Sequence, residues 1–423
     1  MDIQPYREYQ VRMSDLPKTI YLDRTTPPHI TTLVLLAGLS ALSMNVFLPS
    51  LPGMTEYFQT DYSKMQLSIS LYLGLTGALQ LIIGPLSDRY GRRPVILVGF
   101  AIFLIATIGC LFSKNIETFL FFRMTQTAVA TGMVLSRAIV RDIVPANEAA
   151  SMIGYVTMGM SLVPMIAPAV GGFLDDIFGW HANFAILLLM GVIASVIIWL
   201  DLGETNQHRS SSFMAQIKDY PELFGSRRFW GYCLTAAFAS GSFFAFLGGA
   251  PYIATNFFGL SSSELGLYFG IVSLGYMTGN FVSGRYSVRF GINKMMLYGA
   301  SFTLLGILVS LAFFLAGSTH PLSFFGFMFA VGVGNGMTLP NSNAGMVSVR
   351  PQLAGSASGL GGAIMLGGGA SLAAVTGIVL TPGSGPYPLL YLMIATSVLA
   401  VTTILYIMRV EMKAGPLDGP VHD

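Results

Sequence analysis

Residues 84–94 read GPLSDRYGRRP, a run of unusual charge density. Its charged side chains are Asp88, Arg89, Arg92 and Arg93. The stretches on either side, residues 65–83 and 95–112, contain no Asp, Glu, Lys or Arg. Each is close to the ~20 apolar residues that a helix needs to cross a bilayer. The pattern predicts two membrane-spanning helices joined by a charged turn, in which Gly91 lets the chain reverse tightly.

The whole chain of 423 residues is short of charge: 10% of its residues are charged and 53% are hydrophobic. Soluble domains carry about 25% charged residues, so the lipid bilayer is expected to be the main solvent. The net charge of +2 and the lack of a long basic block argue against nucleic-acid binding. Cys110 and Cys233 read as small core side chains, and the five scattered histidines show no metal-ligand spacing. No metal or cofactor is expected.

Twelve mostly apolar stretches have the length of a membrane span. They are residues 30–50, 65–86, 94–113, 117–140, 149–173, 183–202, 229–257, 263–284, 292–316, 322–347, 354–380 and 387–409. The predicted fold class is an all-α membrane protein with twelve transmembrane helices. The first 28 residues lack the pattern of a signal peptide and predict a tail before a retained first span.

Lys and Arg in the short loops predict the orientation, because cytoplasmic loops carry an excess of both. With the N-terminus inside, the outer loops hold only Lys64 and Lys114, and an even span count puts both termini in the cytoplasm. A polar stretch, residues 203–228, divides the spans six and six and reads as a cytoplasmic linker. The predicted units are a tail (1–28), an N-terminal bundle (29–202), the linker, a C-terminal bundle (229–410) and a second tail (411–423).

The two halves are weak copies of each other. A shift of two hundred residues places the opening run on GRYSVRFGINK, residues 284–294. The identical pairs are Gly84 and Gly284, Ser87 and Ser287, Arg89 and Arg289, and Gly91 and Gly291. Parallel repeats of this kind predict two six-helix bundles around one axis, with a cavity at their interface.

These residues resemble the major facilitator superfamily over nearly the whole chain. GPLSDRYGRRP resembles its signature between the second and third spans. RMTQ (residues 123–126) is similar to the fourth-span motif of its drug/proton antiporters, and APAVGG (167–172) to the fifth-span motif, with Ala167 in place of a usual Gly. Further similarities to the bicyclomycin/chloramphenicol-resistance (Bcr/CflA) branch are FLPSLPGM (47–54), SRAIVRDIV (136–144), GAPYI (249–253), LPNSNAG (339–345) and AGSASGL (354–360).

The resemblance implies proton-coupled transport, yet one family feature is missing. Members of that branch often carry an Asp in the first span, where this chain has Asn45. The middle third of every predicted span lacks Asp and Glu. A carboxylate that titrates within the core is the simplest proton carrier. Proton coupling is therefore implied by the family and has no support from these residues.

Several polar side chains within spans are candidates for a substrate or coupling cavity. Arg123 is the one strongly charged residue well inside a span, and it either faces the cavity or extends to the nearby outer surface. Stripes at four-residue spacing, Ser68 to Gln80 and Tyr268 to Asn280, either line the cavity or hydrogen-bond neighbouring helices. The predicted cavity residues are Asn45, Tyr72, Thr76, Gln80, Arg123, Gln126, Tyr252, Tyr276, Asn280, Asn335 and Asn341.

The charged turn is predicted by resemblance to act as an inner gate. Asp88 would lie near a helix N-terminus of the other half, and Arg92 or Arg93 near Asp142, in the outward-open state. The copy has Val288 in place of Asp88, so the gate is expected to be asymmetric. The predicted gate residues are Asp88, Arg89, Gly91, Arg92, Arg93, Arg141, Asp142 and Arg289.

These observations predict a secondary transporter of the bacterial inner membrane that exports small amphipathic compounds as a monomer, by rocking its two bundles. Arg123, the cation predicted to lie in the cavity, favours neutral, zwitterionic or anionic substrates over lipophilic cations. A dedicated exporter or importer of one metabolite or siderophore remains an alternative on the same fold. A membrane-embedded enzyme or receptor scaffold would need a buried catalytic set or a large extramembrane domain, and the sequence has neither.

Overall fold

The computed structural model describes residues 19–144, 146–206, 221–350, 353–381 and 383–414. Every regular element within these ranges is a helix. The long helices are α1 (Ile30–Asn45), α2 (Leu67–Tyr90), α3 (Arg92–Leu111), α4 (Ile116–Thr125 and Ala130–Ile143, joined by the 3₁₀ turn Gln126–Val129), α5 (Ala146–Phe178), α6 (His181–Asp201), α7 (Arg227–Asn256), α8 (Ser262–Phe290), α9 (Ile292–Leu315), α10 (Met328–Val349), α11 (Ala354–Val379) and α12 (Tyr387–Ala414). Short helices follow α1 (Leu48–Ser50, Leu51–Tyr57) and precede α2 (Tyr62–Met65) and α10 (Leu322–Phe325).

The all-α prediction is confirmed. Ten helical stretches in the described ranges are long and apolar enough to cross a membrane. The two long helices outside that set are α4, which the 3₁₀ turn interrupts beside Arg123, and α5. Several helices run past the apolar windows predicted for them: α8 continues six residues beyond residue 284 and stops at Gly291, whose φ is +82°. A glycine at positive φ, and not the end of the apolar run, ends the helix there.

Helix packing follows the repeat seen in the sequence. In the first half, α1 packs on α4, α5 and α6, while α3 packs on α4 and α6. The second half repeats this pattern: α7 packs on α10, α11 and α12, and α9 on α10 and α12. Across the halves, α2 packs on α11 and α5 on α8. Cavities between the halves are therefore bounded by these four helices, with contributions from α1, α4, α7 and α10.

The helix bundle has two ends, which we name by their loops. The motif end holds the α2–α3 turn at Gly91 and the α8–α9 turn at Gly291. The far end holds the α1–α2 and α7–α8 connections. Both turn glycines have positive φ, +101° at Gly91 and +82° at Gly291. Their surroundings differ: a Cβ on Gly91 would lie 2.3 Å from Glu204 Oε2, whereas a Cβ on Gly291 would have no atom within 4 Å.

The Gly91→Ala variant is expected to destabilise the protein more than Gly291→Ala does. Both substitutions force an L-residue into a glycine conformation, at a cost of about 1–3 kcal/mol. Only the first also displaces the Glu204 carboxylate from the start of α3. Thermal unfolding in detergent measures the difference, with Gly291→Ala as the control for backbone strain. Equal losses would show that the Glu204 contact contributes nothing to stability.

Candidate functional site

Arg123 lies at the centre of a hydrogen-bond network that ties four helices of the first half together. Its side chain is fully buried (0% exposed). The guanidinium donates to the Ser43 carbonyl oxygen (3.0 Å) and hydroxyl (3.2 Å) on α1, and to Gln126 Oε1 (2.8 Å). Gln126 in turn donates to Thr107 Oγ1 on α3 (2.8 Å). The guanidinium carbon also lies 4.0 Å from the ring centroid of Tyr72 on α2.

The sequence left two interpretations of Arg123, a side chain that faces a cavity or one that extends to the outer surface. The contacts of Arg123 favour a third, a structural role. The side chain does not extend to the outer surface, because it is buried among α1, α2 and α4. It also lines neither of the two cavities described below. Its geometry is that of a structural cross-link, with cation–π contacts to Phe47 and Tyr72 in place of an acidic partner. A direct contact with substrate stays a prediction.

Arg123→Lys is expected to lower the unfolding free energy by about 2–4 kcal/mol, because one ammonium cannot replace a planar guanidinium that bonds Ser43 and Gln126 at once. Thermal unfolding in detergent measures the loss. Arg285→Lys, at an exposed position of α8, is the matched control. If the Arg123→Lys variant unfolds at the same temperature as the wild type, the hydrogen-bond network of Arg123 does not hold these helices together.

Two cavities lie between the halves. The polar cavity, about 190 Å³, is lined by Gln80 and Asp88 of α2, by Arg92 of α3 and by Arg137 and Arg141 of α4. Ser356, Ser358 and Gly359 of α11 line it from the other half. The apolar cavity, about 200 Å³, is lined mainly by α7, α8 and α10, through side chains such as Phe243, Phe244, Tyr276 and Asn335. Ala41 of α1 and Pro164 of α5 complete it from the first half. The polar cavity reaches the motif end.

The predicted cavity residues are divided between cavity walls and packed interiors. Gln80 lines the polar cavity, and Tyr276 and Asn335 line the apolar one. The other predicted residues line neither of these two. Four of them donate hydrogen bonds to nearby groups: Tyr72 to Ser43 Oγ, Asn45 to the Ala41 carbonyl, Asn280 to the Tyr276 carbonyl and Asn341 to Ser283 Oγ. The buried Thr76 hydroxyl has no hydrogen-bond partner. Tyr252 packs its ring at a tilted angle against that of Tyr62 at the far end.

Three of the predicted gate residues, Asp88, Arg92 and Asp142, form an ion-pair network at the motif end, within the first half. Arg92 pairs with Asp88 (2.5 Å) and with Asp142 of α4 (3.0 Å). Arg89 and Arg93 lie outside this network, next to the rings of Tyr90 and Trp199. Arg141 lines the polar cavity. Arg289 in the repeat is exposed and lies beside Phe290.

Glu204 is a part of this site that the sequence did not reveal. Its carboxylate accepts hydrogen bonds from the backbone N–H of Arg92 (2.9 Å) and of Arg93 (3.4 Å), so it caps the N-terminus of α3. Two residues later, the Asn206 amide donates to the Asp88 carbonyl oxygen (3.1 Å). The first residues of the predicted linker therefore dock on the charged turn. A separation of 112 residues leaves no local pattern by which to foresee this contact.

The far end is closed by contacts between the halves. Asp175 of α5 accepts from Ser262 Oγ (2.6 Å), and Asp176 from the Ser263 backbone N–H (3.0 Å), so two carboxylates meet the N-terminus of α8. The Tyr62 hydroxyl donates to the Gly248 carbonyl oxygen of α7 (2.8 Å). Carboxylates at a helix N-terminus are favourable because they face its orphan N–H groups.

No group of three or more His, Cys, Asp or Glu side chains in the described ranges is placed to hold a metal ion. The two halves are joined by contacts at the far end and separated by the polar cavity toward the motif end. The sequence profile of the Major Facilitator Superfamily matches residues 33–374 and, in a second alignment, residues 250–417. The chain belongs to the Major Facilitator Superfamily. The family resemblance is confirmed, and the protein is a multi-pass membrane transporter and not an enzyme.

Relatives in this superfamily carry names from drug resistance. The uncharacterized MFS-type transporter YdgK of Bacillus subtilis (strain 168) is 35% identical over 259 residues, 60% of this chain and 64% of YdgK. That alignment therefore spans less than two thirds of its relative. The chloramphenicol resistance protein of Pseudomonas aeruginosa is 32% identical over 298 residues, 70% of this chain and 71% of that protein. The resemblance to the bicyclomycin/chloramphenicol-resistance branch is confirmed.

A solved structure supports the superfamily fold. The bacterial homolog of the human lysosomal transporter Spinster, crystallised in an inward-facing and unoccupied conformation, aligns with a TM-score of 0.71. The alignment covers 91% of this chain and 97% of that chain at 18% sequence identity. At this identity the likeness concerns the fold alone.

Proposed function

We propose that this superfamily member is a secondary active transporter that exports small amphipathic compounds from the cytoplasm by alternating access, with protons moving inward. Its substrates are drug-like compounds that are neutral, zwitterionic or anionic. Twelve membrane spans form two six-helix bundles, residues 29–202 and 229–410, joined by a cytoplasmic linker. The protein acts as a monomer in a bacterial inner membrane, with both termini in the cytoplasm.

One observation carries this proposal: the two halves touch at the far end, while the polar cavity between them reaches the motif end. A pathway that is closed at one end and accessible at the other is half of an alternating-access cycle. The names of the drug-resistance relatives support the choice of substrate class.

The charge distribution supports the assignment of sides. The motif end carries the Arg-rich loops around Arg92, Arg141 and Arg289, whereas Lys64 and Lys114 lie at the far end. Because cytoplasmic loops are enriched in Lys and Arg, we place the motif end in the cytoplasm. The conformation described here is then inward-facing.

Export is tested by reconstitution into liposomes with a chemically varied compound panel and a pH-sensitive dye in the lumen. We expect movement of at least one amphipathic compound against its gradient when an imposed proton gradient is present, accompanied by proton flow in the opposite direction. Substrate movement without any proton movement would contradict proton coupling but would still support the assignment as a transporter. Whole-cell accumulation assays give the direction, and uptake of the compound would overturn export.

A further inference from the structure

Arg137 is a cation in the polar cavity that has no acidic partner among the side chains that the structure describes. Its neighbour Arg92 is neutralised by Asp88 and Asp142. In contrast, no carboxylate among the described side chains lies within ion-pair distance of Arg137 or Arg141, which are one helical turn apart on α4. The cavity wall thus carries three guanidinium groups and one carboxylate, Asp88. The imbalance gives the cavity a net positive charge.

Such an arrangement is unfavourable without a ligand. Like charges one turn apart on a helix repel each other, and a cavity between packed helices screens them less than open water does. Arginines at a cytoplasmic helix end also serve as topology signals, and this explains Arg141, whose position is close to the end of α4. It does not explain Arg137, which lies ~6 Å deeper along the helix and is mostly buried.

Arg137 also lies where the two cavities approach each other. It lines the polar cavity together with Ser358 and Gly359 of α11, and the same helix contributes Met365 to the wall of the apolar cavity. Tyr276 belongs to α8 of the other half and lines the apolar cavity. The guanidinium is therefore at the border between a charged compartment and an apolar one. Gln80 adds a hydrogen-bonding amide to the charged side of this border.

The apolar cavity offers a complementary site for the remainder of a molecule. Phe243 and Phe244 supply aromatic surface, and its volume of about 200 Å³ is below the ~300–1,000 Å³ of typical drug sites. Its size favours a body of one or two rings. Asn335 is only 4% exposed, and its Oδ1 has no hydrogen-bond partner. A buried amide oxygen without a partner at a cavity wall is ready to accept a hydrogen bond from a ligand.

We propose that the transported compounds include amphipathic organic monocarboxylates, whose carboxylate binds Arg137 in the polar cavity while a one- or two-ring body occupies the apolar cavity. A guanidinium binds a carboxylate through two parallel hydrogen bonds, which gives both affinity and orientation. This inference rests on the proposed export function. It narrows the substrate class and assigns the anion to Arg137, in place of the buried Arg123.

A matched series of compounds tests the charge preference. Liposomes containing the full-length protein are assayed with 2-naphthylacetate, its neutral amide 2-naphthylacetamide, and the cation 2-(2-naphthyl)ethylammonium. We expect kcat/KM to be highest for the carboxylate and lowest for the cation. A kcat/KM for the amide or the cation that equals or exceeds that of the carboxylate would overturn the inference but keep the transporter. Failure to transport any of the three would count against both the inference and the proposed function.

Variants of Arg137 test the assignment. Arg137→Gln is expected to lower kcat/KM for the carboxylate by about 10- to 100-fold, the range for losing a hydrogen-bonded charge. Transport of the amide should stay unchanged and thereby show that the variant is folded. Arg137→Lys should recover most of the activity toward the carboxylate. Arg285→Gln, the same charge change at an exposed position outside both cavities, should have no effect. An equal loss for carboxylate and amide would assign Arg137 a structural role and overturn the inference.

Discussion

Asp88→Asn is expected to lower transport by about a hundredfold or more while leaving the protein folded and inserted. In the conformation described here, Asp88 pairs with Arg92 and faces the start of α11 across the polar cavity. When the motif end closes, we expect the α11 N-terminus to approach this carboxylate. In the closed state Asp88 would then accept charge-assisted hydrogen bonds from backbone N–H groups at the α11 N-terminus, worth about 1.5–3 kcal/mol each, whereas its pair with Arg92 is present in both states. Their loss shifts the equilibrium toward the inward-facing state.

Transport by the reconstituted variant gives the magnitude, and thermal unfolding in detergent shows whether the fold survives. Arg92 keeps Asp142 as a partner, so little stability should be lost. Asp61→Asn, an acid exposed near the far end, is the matched control and should transport normally. Wild-type transport activity in Asp88→Asn would show that the charged turn sets the membrane orientation only and does not act as a gate.

Gly172→Ala is expected to have the opposite conformational effect, by preventing closure of the far end. A Cβ on Gly172 would lie 2.1 Å from the Ser262 carbonyl oxygen, which belongs to the other half. Both atoms are fixed to helix backbones, so the halves must separate at this point. Overpacking of this kind costs about 1–3 kcal/mol, which corresponds to a loss of about fivefold to 150-fold in the population with the far end closed.

This loss would appear as reduced transport and as greater labelling of cysteines placed at the far end. The contacts of Asp175 and Asp176 with Ser262 and Ser263 should weaken at the same time, because they span the same interface. Gly270→Ala on α8 is the control, since a Cβ there would have no atom within 4 Å. If Gly172→Ala transports like the control, this interface is not the far-end gate.

The sequence predicted the helices well because membrane spans leave a strong local signal. The windows for the third, sixth and ninth spans agree with α3, α6 and α9 to within two residues at each end. The repeat at a shift of two hundred residues placed Gly291 opposite Gly91, and both turn glycines have positive φ. Helix ends beyond the apolar windows were missed because α2 and α8 continue through polar residues until a glycine stops them.

The site was less predictable because its decisive contacts join residues that are distant in the chain. Glu204 caps α3 from 112 residues away, and Asp176 meets the α8 N-terminus from the other half. The charge of Arg123 was visible in the sequence, but its hydrogen-bond partners were not. Those partners make Arg123 a cross-link within one half. The sequence does not single out Arg137, because it cannot show which acidic side chains lie near a given arginine in the folded protein.

The most direct test of alternating access is to measure distances across both ends of one molecule. Spin labels at positions 57 and 257 report on the far end, and labels at positions 90 and 288 on the motif end; all four side chains are at least 41% exposed. The native Cys110 and Cys233 are fully buried and should not be labelled. Pulsed electron paramagnetic resonance is recorded with and without a compound that the liposome assay shows to be transported.

We predict two populations at each end, linked in opposite senses: when the far-end distance is short the motif-end distance is long, and the reverse. Gly172→Ala should enrich the population with a long far-end distance, and Asp88→Asn the population with a short one. One unchanging distance at each end in a protein that still transports, or movement at one end alone, would contradict the account.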